Sequence, residues 1–333
     1  MLAIDVGSKK VCVVEGKARK DTVIITAYGE IEYETQPVSD GKIDDHATLG
    51  FLINEIIRTH KMKSRKAVVT INSSAVIARE FTLPNVKLSR LQLLVQNEMQ
   101  LILGGEGGYI IDFTITGQTA EGMLTVLAFA VPGELVEDTR RLLEQLRLKP
   151  HALDLNYNSI SKLCSDSIIN HNDPGEDNVV LADIGYAHIC FYGFHKGTCQ
   201  FIRNEASPLQ DFIEELGTLA RENITISSMA RLNFSPGAAN ESPALADAID
   251  RFVTRLTDEI QRYTQYLLLN SASKKVAYFY IAGGGACLKG LDVTLTQTLG
   301  ADTQILEHVT GLELPAQCNL ARVCNAAGAL IRL

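Results

Sequence analysis

The sequence lacks several things, and each absence removes a class of function. No apolar run approaches the roughly 18 residues that a membrane-spanning helix needs. The seven cysteines, Cys12, Cys164, Cys190, Cys199, Cys287, Cys318 and Cys324, contain no Cys-x-x-Cys pair and sit mostly in apolar runs. Buried free thiols fit that placement better than disulfides or zinc. The seven histidines show no metal-ligand spacing, and no Gly-x-Ser-x-Gly nucleophile elbow occurs. Positive charge is in deficit: the net charge is -8, against what broad nucleic-acid binding requires. The opening Met1-Leu2-Ala3-Ile4-Asp5 lacks the basic, apolar and cleavage regions of a signal peptide, so export by that route is not expected. What remains is an ordinary globular composition, 46% hydrophobic and 21% charged over 333 residues, a length that suits two lobes.

The most informative feature is an internal echo. Leu2-Ala3-Ile4-Asp5-Val6-Gly7 is followed by Ser8-Lys9-Lys10 and the apolar run Val11-Cys12-Val13-Val14. Leu181-Ala182-Asp183-Ile184-Gly185 is followed by Tyr186-Ala187-His188 and Ile189-Cys190-Phe191-Tyr192. Asp5 and Asp183 lie 178 residues apart, and so do Cys12 and Cys190. A single Asp-x-Gly closes many ordinary hairpins, but two in register between strand-like runs imply a duplicated unit. A glycine at such a turn can take φ > 0 and leave backbone N–H groups open to an anion. The preceding Asp would stand beside that anion and hold Mg²⁺ through water. Two hairpins facing each other would grip phosphates from both sides.

A third element joins them. Val276–Ala282 reads as a buried strand running into Gly283-Gly284-Gly285-Ala286 and a helical pattern through Leu288, Leu291, Leu295 and Leu299. Bare backbone there would let a base or sugar lie close to a helix start. Gly104-Gly105-Glu106-Gly107-Gly108 follows a helical segment and reads as a helix stop and loop.

The layout is α/β. A half-exposed strand spans Thr22–Glu34, and Asp44 and Asp45 cap a helix carrying Leu49, Leu52, Ile53, Ile56 and Ile57 on one face. Ala67–Ile71 reads as a buried strand. Residues 75–149 differ in texture: strand Ala75–Leu83, helix Leu88–Leu103, strands Tyr109–Thr116 and Met123–Val131, and a helix from Glu134 to Leu148 stopped at Lys149-Pro150. A further helix is expected over about 152–169, then a polar linker, His171–Asp177. Ser207-Pro208 and Ser242-Pro243 start helices, the second carrying an apolar stripe from Leu245 to Leu267 that reads as core. The division is a first lobe of 1–74 with 150–177 and 312–333, an insert of 75–149, and a second lobe of 178–311 with a helical part over about 207–274. The basic stretch His60–Lys66 reads as a solvated helix end, and the apolar C-terminal segment as a packed helix.

This pattern resembles the actin/Hsp70/FtsA class of two-lobed, ribonuclease-H-like folds, and it looks most similar to the PilM family of type IV pilus machines. Ile4-Asp5-Val6-Gly7-Ser8, Phe81-Thr82-Leu83-Pro84, Ile110-Ile111-Asp112-Phe113 and Phe129-Ala130-Val131-Pro132 carry the likeness, with Leu148-Lys149-Pro150, Ala152-Leu153-Asp154, Phe201-Ile202-Arg203 and Gly283-Gly284-Gly285. The middle segments belong to an insert subdomain that PilM shares with FtsA. The resemblance implies ATP with Mg²⁺ held by Asp5, Gly7, Ser8, Lys9 and Lys10 in the first loop, Asp183, Gly185 and Tyr186 in the second, and Gly283, Gly284 and Gly285 at the nucleoside. It places the metal by Asp5 and Asp183. It implies capture of the cytosolic N-terminal tail of a PilN-like membrane protein, alongside other pilus platform proteins. The expected groove is marked by Ala75, Ile77, Arg79, Ile111, Phe113, Leu155 and Leu163. The protein would then be cytoplasmic and peripheral at the inner face of the membrane, tethered through its partner, with no nucleic-acid partner.

The sequence departs from that family at Cys12, where relatives carry Lys and where Lys9 or Lys10 could supply the charge. It departs again at Tyr186 and His188 in the second loop, and near Ser227-Ser228-Met229-Ala230-Arg231, which lacks a Glu and Lys pair around the adenosine. Nucleotide binding with at most slow hydrolysis is the expectation, and no residue stands out as a catalytic base. Two alternatives share the fold: an FtsA-like filament-forming division protein and a small-metabolite kinase.

Overall fold

The structure, a computed structural model, describes residues 1–333 apart from 20–21, 106, 221–223, 225–228, 230–231, 239–241 and 332–333. The chain opens with strands β1 (Leu2–Val6), β2 (Lys10–Arg19) and β3 (Thr22–Glu32), then the short pair β4 (Val38–Ser39) and β5 (Lys42–Ile43). Helix α1 (His46–Thr59) and β6 (Lys66–Ile71) follow, then β7 (Ile77–Leu83), α2 (Leu88–Ile102), β8 (Tyr109–Gln118) and β9 (Leu124–Pro132). Next come α3 (Gly133–Gln145), β10 (Lys149–Leu155) and α4 (Asn156–Cys164). The second half holds β11 (Asn178–Ile184), β12 (His188–His195), β13 (Thr198–Ala206), α5 (Pro208–Ala220) and α6 (Pro243–Asn270). It ends with β14 (Val276–Ala282), α7 (Leu291–Leu299), β15 (Thr303–Ile305), β16 (Leu312–Glu313) and α8 (Leu320–Ala329).

Two sheets repeat one plan. The first runs β10-β6-β1-β2-β3-β16 and the second β13-β12-β11-β14-β15. In each, a central strand pairs antiparallel with its hairpin partner on one side and parallel with a later strand on the other. The registers match: Asp5 stands opposite Cys12, and Asp183 opposite Cys190. The duplication seen in the sequence is therefore a duplication of sheets. The central strands β1 and β11 are buried along their whole length, as unbroken apolar runs flanked on both sides must be.

Local sequence explains the helix starts. Asp45 accepts from the Thr48 N–H at 2.9 Å, and Ser242 accepts from the Leu245 N–H at 3.2 Å just before Pro243. The stripe on α6 is core: Ile249, Phe252, Leu256, Ile260, Tyr263 and Leu267 are all buried. Helix α8 is buried from Leu320 to Ala329 except at Arg322, and it crosses α4 so closely that a Cβ on Gly328 would overlap the Ser159 carbonyl. These two helices form the floor between the lobes.

Two expectations are corrected. Residues 149–155 form a strand, β10, and the helix after it is the short α4 and not a span of 152–169. Pro150 is tolerated because β10 is an edge strand with a register shift between Pro150 and Ala152. The expected helix through Leu288 begins only at Leu291, after a 3-10 turn over Gly285–Cys287. The insert has its own small core, in which α2 packs on the sheet β7-β9-β8 through Leu91, Val95, Met99, Val126 and Ala128. Helix α3, by contrast, buries Leu135, Leu142 and Leu143 in the main core. All seven cysteines are free. Among the described residues, no helix is long and apolar enough to cross a membrane.

Candidate functional site

The two Asp-x-Gly turns close in the same way. Gly7 N–H donates to the Lys10 carbonyl at 3.0 Å, and Gly185 N–H donates to the His188 carbonyl at 3.0 Å. Neither glycine takes positive φ, contrary to the expectation. Glycine is required here for space: an added Cβ would lie 3.1 Å from the Lys10 oxygen or 2.7 Å from the His188 oxygen, across the turn. The turn N–H groups at Gly7 and Gly185 are therefore committed to the turn itself.

Asp5 and Asp183, at the ends of β1 and β11, are 7% and 6% exposed. Burial pushes the Asp5 carboxyl up to about 7; the nearby Lys10 ammonium opposes this and the Asp183 carboxylate adds to it. Burial raises Asp183 as well, with a hydrogen bond from Asn325 and the charge of Lys10 in opposition. Each acid is approached by an asparagine from the floor helices, which the sequence reading missed. Asn156, at the start of α4, reaches Asp5 at a long 3.5 Å while its own oxygen accepts from Thr70 at 2.8 Å. Asn325 of α8 donates to Asp183 at 3.0 Å, and its Oδ1 is buried without a partner among the described residues. Two buried, poorly compensated carboxylates with an orphaned amide oxygen beside them form a hard-oxygen donor set. That chemistry suits Mg²⁺, with the remaining positions left to water and phosphate. Among the described residues no group of three or more His, Cys, Asp or Glu gathers as a metal site of its own.

The charges around the turns are already engaged. Lys10 donates to Glu30 at 2.6 Å and to the Arg322 carbonyl at 3.0 Å, while Arg322 pairs with Glu30 at 2.5 Å. Lys9 lies over the Tyr186 ring, 4.6 Å from its centroid, so a cation of the first lobe rests on an aromatic of the second. Ser8 occupies the first turn at the position that Tyr186 holds in the second. Cys12 is fully buried in β2, and burial raises its thiol far above the ordinary range. Lys10, not Cys12, carries the positive charge that bears on Asp5.

The glycine triplet packs against this centre. Gly283 has φ 79°, and a Cβ there would overlap the Asp183 carboxylate. Gly284 is buried, and a Cβ on Gly285 would collide with the Ile184 side chain. The triplet thus brings β14 against the second hairpin, and a 3-10 turn follows instead of a helix N-terminus. Of the adenosine-side segment near Ser227, Ser227, Ser228, Ala230 and Arg231 lie outside the described residues, and Met229 is buried.

The groove residues fall in different surroundings, and Arg79 reaches a furrow from edge strand β7 although it shares strand parity with Ile77. Ile77, Ile111 and Phe113 face α2 and belong to the insert's own core, so they do not line a groove. Ala75 lies in the exposed connection between β6 and β7, and Leu155 is buried in the main core. Arg79 does line a depression of about 420 Å³ between the outer face of the insert sheet, α4 and β13. Its walls include Ala78, Thr114, Phe129, Ser161, Phe201 and Arg203. A second depression, edged by Leu163 and Lys162, shares Thr114, Thr116, Asn158, Ser161 and Cys199 with it, so the two form one furrow. Alternation along β7–β9 was legible, but which face α2 would cover was not.

The fold is that of the actin-like ATPases. A chain of the PilM-PilN type IV pilus biogenesis complex superposes with a TM-score of 0.77 at 18% identity, covering 99% of this chain and 97% of that one. The ethanolamine utilization protein EutJ from Carboxydothermus hydrogenoformans does so with a TM-score of 0.55 at 12% identity, covering 98% of this chain and 88% of the other. A family model described as type IV pilus assembly protein PilM matches residues 3–331, and the chain belongs to that family.

Proposed function

We propose that this protein is an ATP-binding scaffold of a type IV pilus assembly platform, one that captures the cytosolic N-terminal tail of a PilN-like membrane protein. The observation that carries the nucleotide half is the pair of Asp-x-Gly hairpins of matching register with Asp5 and Asp183 buried near the ends of their first strands, undercompensated within the protein. A divalent cation and a polyphosphate would relieve that burial. Lys9 would leave the Tyr186 ring for the phosphates, and Lys10 would remain with Glu30 as a fixed positive charge. Binding dominates over turnover in this reading, because Tyr186 crowds the second turn and no further side chain is assigned as a base.

The partner half rests on the furrow between the insert and β13. It combines apolar wall area from Phe129, Phe201 and Ala78 with the cations Arg79 and Arg203, a lining that suits an extended segment of mixed apolar and acidic character. The partner would hold the protein at the inner face of the membrane.

Calorimetric titration with ATP and Mg²⁺ tests the first half. Micromolar binding by the wild type, lost in Asp5→Ala and Gly185→Trp, is the expected result; absence of binding by the wild type refutes it. Titration with a synthetic peptide of the partner tail tests the second half. Ala78→Asp should weaken that binding at least tenfold, while Ile111→Ala, which faces α2, should act only through stability. Equal affinity in wild type and Ala78→Asp would move the site elsewhere.

A further inference from the structure

One chain of contacts joins the second phosphate turn to the furrow, and it runs through a hairpin that neither site uses. Strands β4 and β5 are joined by Asp40 and Gly41, with φ of 48° and 78°. Both central residues in the left-handed region make this the primed turn that an Asp-Gly pair favours. The hairpin is rigidly based, since Val38 and Ile43 are buried and Pro37 O accepts from the Asp44 and Asp45 N–H groups. Its tip leans on the next connection: a Cβ on Gly41 would lie 2.9 Å from both Asn72 O and Ser73 Cβ.

The Asp40 carboxylate is shared between two lobes. On one side it meets His188 Nε2 of the second turn at 2.9 Å. On the other it accepts from Ser74 N–H at 2.7 Å and from Ser74 Oγ at 2.6 Å. Ser74 lies in the connection 72–76, which leads from β6 into β7, and β7 brings Ala78, Arg79 and Glu80 to the furrow. That connection is held at two more points. Ser73 O accepts from Tyr157 Oη at 3.2 Å, and Asn72 Nδ2 donates to Asn204 Oδ1 of β13 at 2.9 Å. Val76 and Asn204 both line the furrow. Asn72 Oδ1 is buried without a hydrogen-bond partner among the described residues, so the arrangement seen leaves one acceptor unmet that another arrangement could satisfy.

We propose that the Asp40-Gly41 hairpin is a relay: an anion at the second turn competes with Asp40 for His188, and release of Asp40 resets the Ser74 connection and the entry of β7 to the furrow. The inference rests on the nucleotide reading above and adds a route by which the cleft regulates the groove. Coupling of this kind needs an element with two arrangements: Asp40 bridging His188 and Ser74, as seen, and Asp40 freed of His188 with its hold on Ser74 rearranged. The equivalent position of the first turn, Lys10, cannot serve in this way, because its partner Glu30 lies in its own sheet.

Hydrogen exchange read by mass spectrometry, with and without Mg²⁺ and ATP, tests it. In the wild type, nucleotide should slow exchange at 4–10 and 183–188 and change it several-fold at 72–83. Asp40→Gly keeps the left-handed turn and deletes the carboxylate; it should retain the slowing at 4–10 and lose the response at 72–83. Ser74→Ala removes one of the two bonds from an exposed side chain, should fold normally, and should reduce that response. A response at 72–83 that survives both substitutions overturns the relay, as does a wild type in which both turns slow and 72–83 is unmoved. A wild type with no change at either turn refutes nucleotide binding itself, and the relay falls with it.

Discussion

Replacing Asp5 with Asn should stabilise the protein at alkaline pH and not at acid pH. Asp5 is buried, and its carboxyl is displaced from 3.8 to about 7 chiefly by loss of solvent. A carboxyl whose folded pKa lies above its unfolded value is penalised only when ionised. The cost is absent below pH 3.8, grows as pH rises between that value and about 7, and is complete above. With 1.36 kcal/mol per pKa unit, the full cost is on the order of 4 kcal/mol. Asn removes it with nearly the same shape, though an imperfect amide geometry beside Asn156 would return part of the gain. Thermal unfolding of the nucleotide-free protein at pH 8 and pH 4.5 measures it. A gain of about 4 kcal/mol is worth roughly 6 °C in a chain of this size. The Asn variant should melt several degrees higher at pH 8 and within a degree or two of wild type at pH 4.5. Saturating Mg²⁺ and ATP should erase or reverse the difference by stabilising only the wild type. A difference independent of pH, or an Asn variant less stable at pH 8, would refute the account of Asp5 as an undercompensated buried acid.

Other substitutions probe the frame. Gly328→Ala should destabilise by about 2–3 kcal/mol or prevent folding, because the α4–α8 crossing has no room for a methyl group, and chemical denaturation will measure it. Asn178→Ala should cost about 2–3 kcal/mol in the same assay: the buried amide accepts from Ser271 Oγ at 2.6 Å and donates to the Ser273 and Lys275 carbonyls, and of these the Lys275 carbonyl alone keeps a second donor, the Asn178 backbone N–H. His308 is held below its ordinary pKa by burial and by the stacked ring of His171, 3.9 Å away between centroids. A depressed imidazole loses stability as pH falls through 6.5, where the unfolded chain takes up its proton first, so His171→Gln should flatten the melting temperature between pH 7 and pH 5. An unchanged slope would show that the pair does not govern that limb.

Much of this organisation was legible because period and punctuation agreed. The duplicated hairpins, the aromatic strand Val276–Ala282 and the helix starts at Asp45, Pro208 and Pro243 all combine a clear apolar pattern with a cap or turn residue. Strand β10 was hidden because Lys149-Pro150-His151 reads as a stop, and only its edge position makes Pro150 acceptable. The pairing of Asn156 with Asp5 and of Asn325 with Asp183 leaves no local signal, since each contact joins residues more than a hundred apart. The faces of the insert sheet were not legible. Ile77, Ile111 and Phe113 look like anchors in sequence, but α2 needs them for the insert's own core, leaving the opposite face for the furrow.

The duplication itself explains why the two turns should behave differently. Lys10 and His188 are equivalent, each giving its carbonyl to the turn glycine at 3.0 Å. Lys10 sends its charge back into its own sheet through Glu30, where Arg322 also pairs, so moving the lobes apart leaves that pair intact. His188 sends its ring across to Asp40 in the other lobe, and Tyr186, the equivalent of Ser8, likewise meets a residue of the opposite lobe, Lys9. Interactions that cross the cleft change with lobe separation, and those within a lobe do not. Tyr186 and His188 are thus the second-turn side chains whose contacts depend on lobe separation, while Lys10 keeps its charge near Asp5 from within its own lobe.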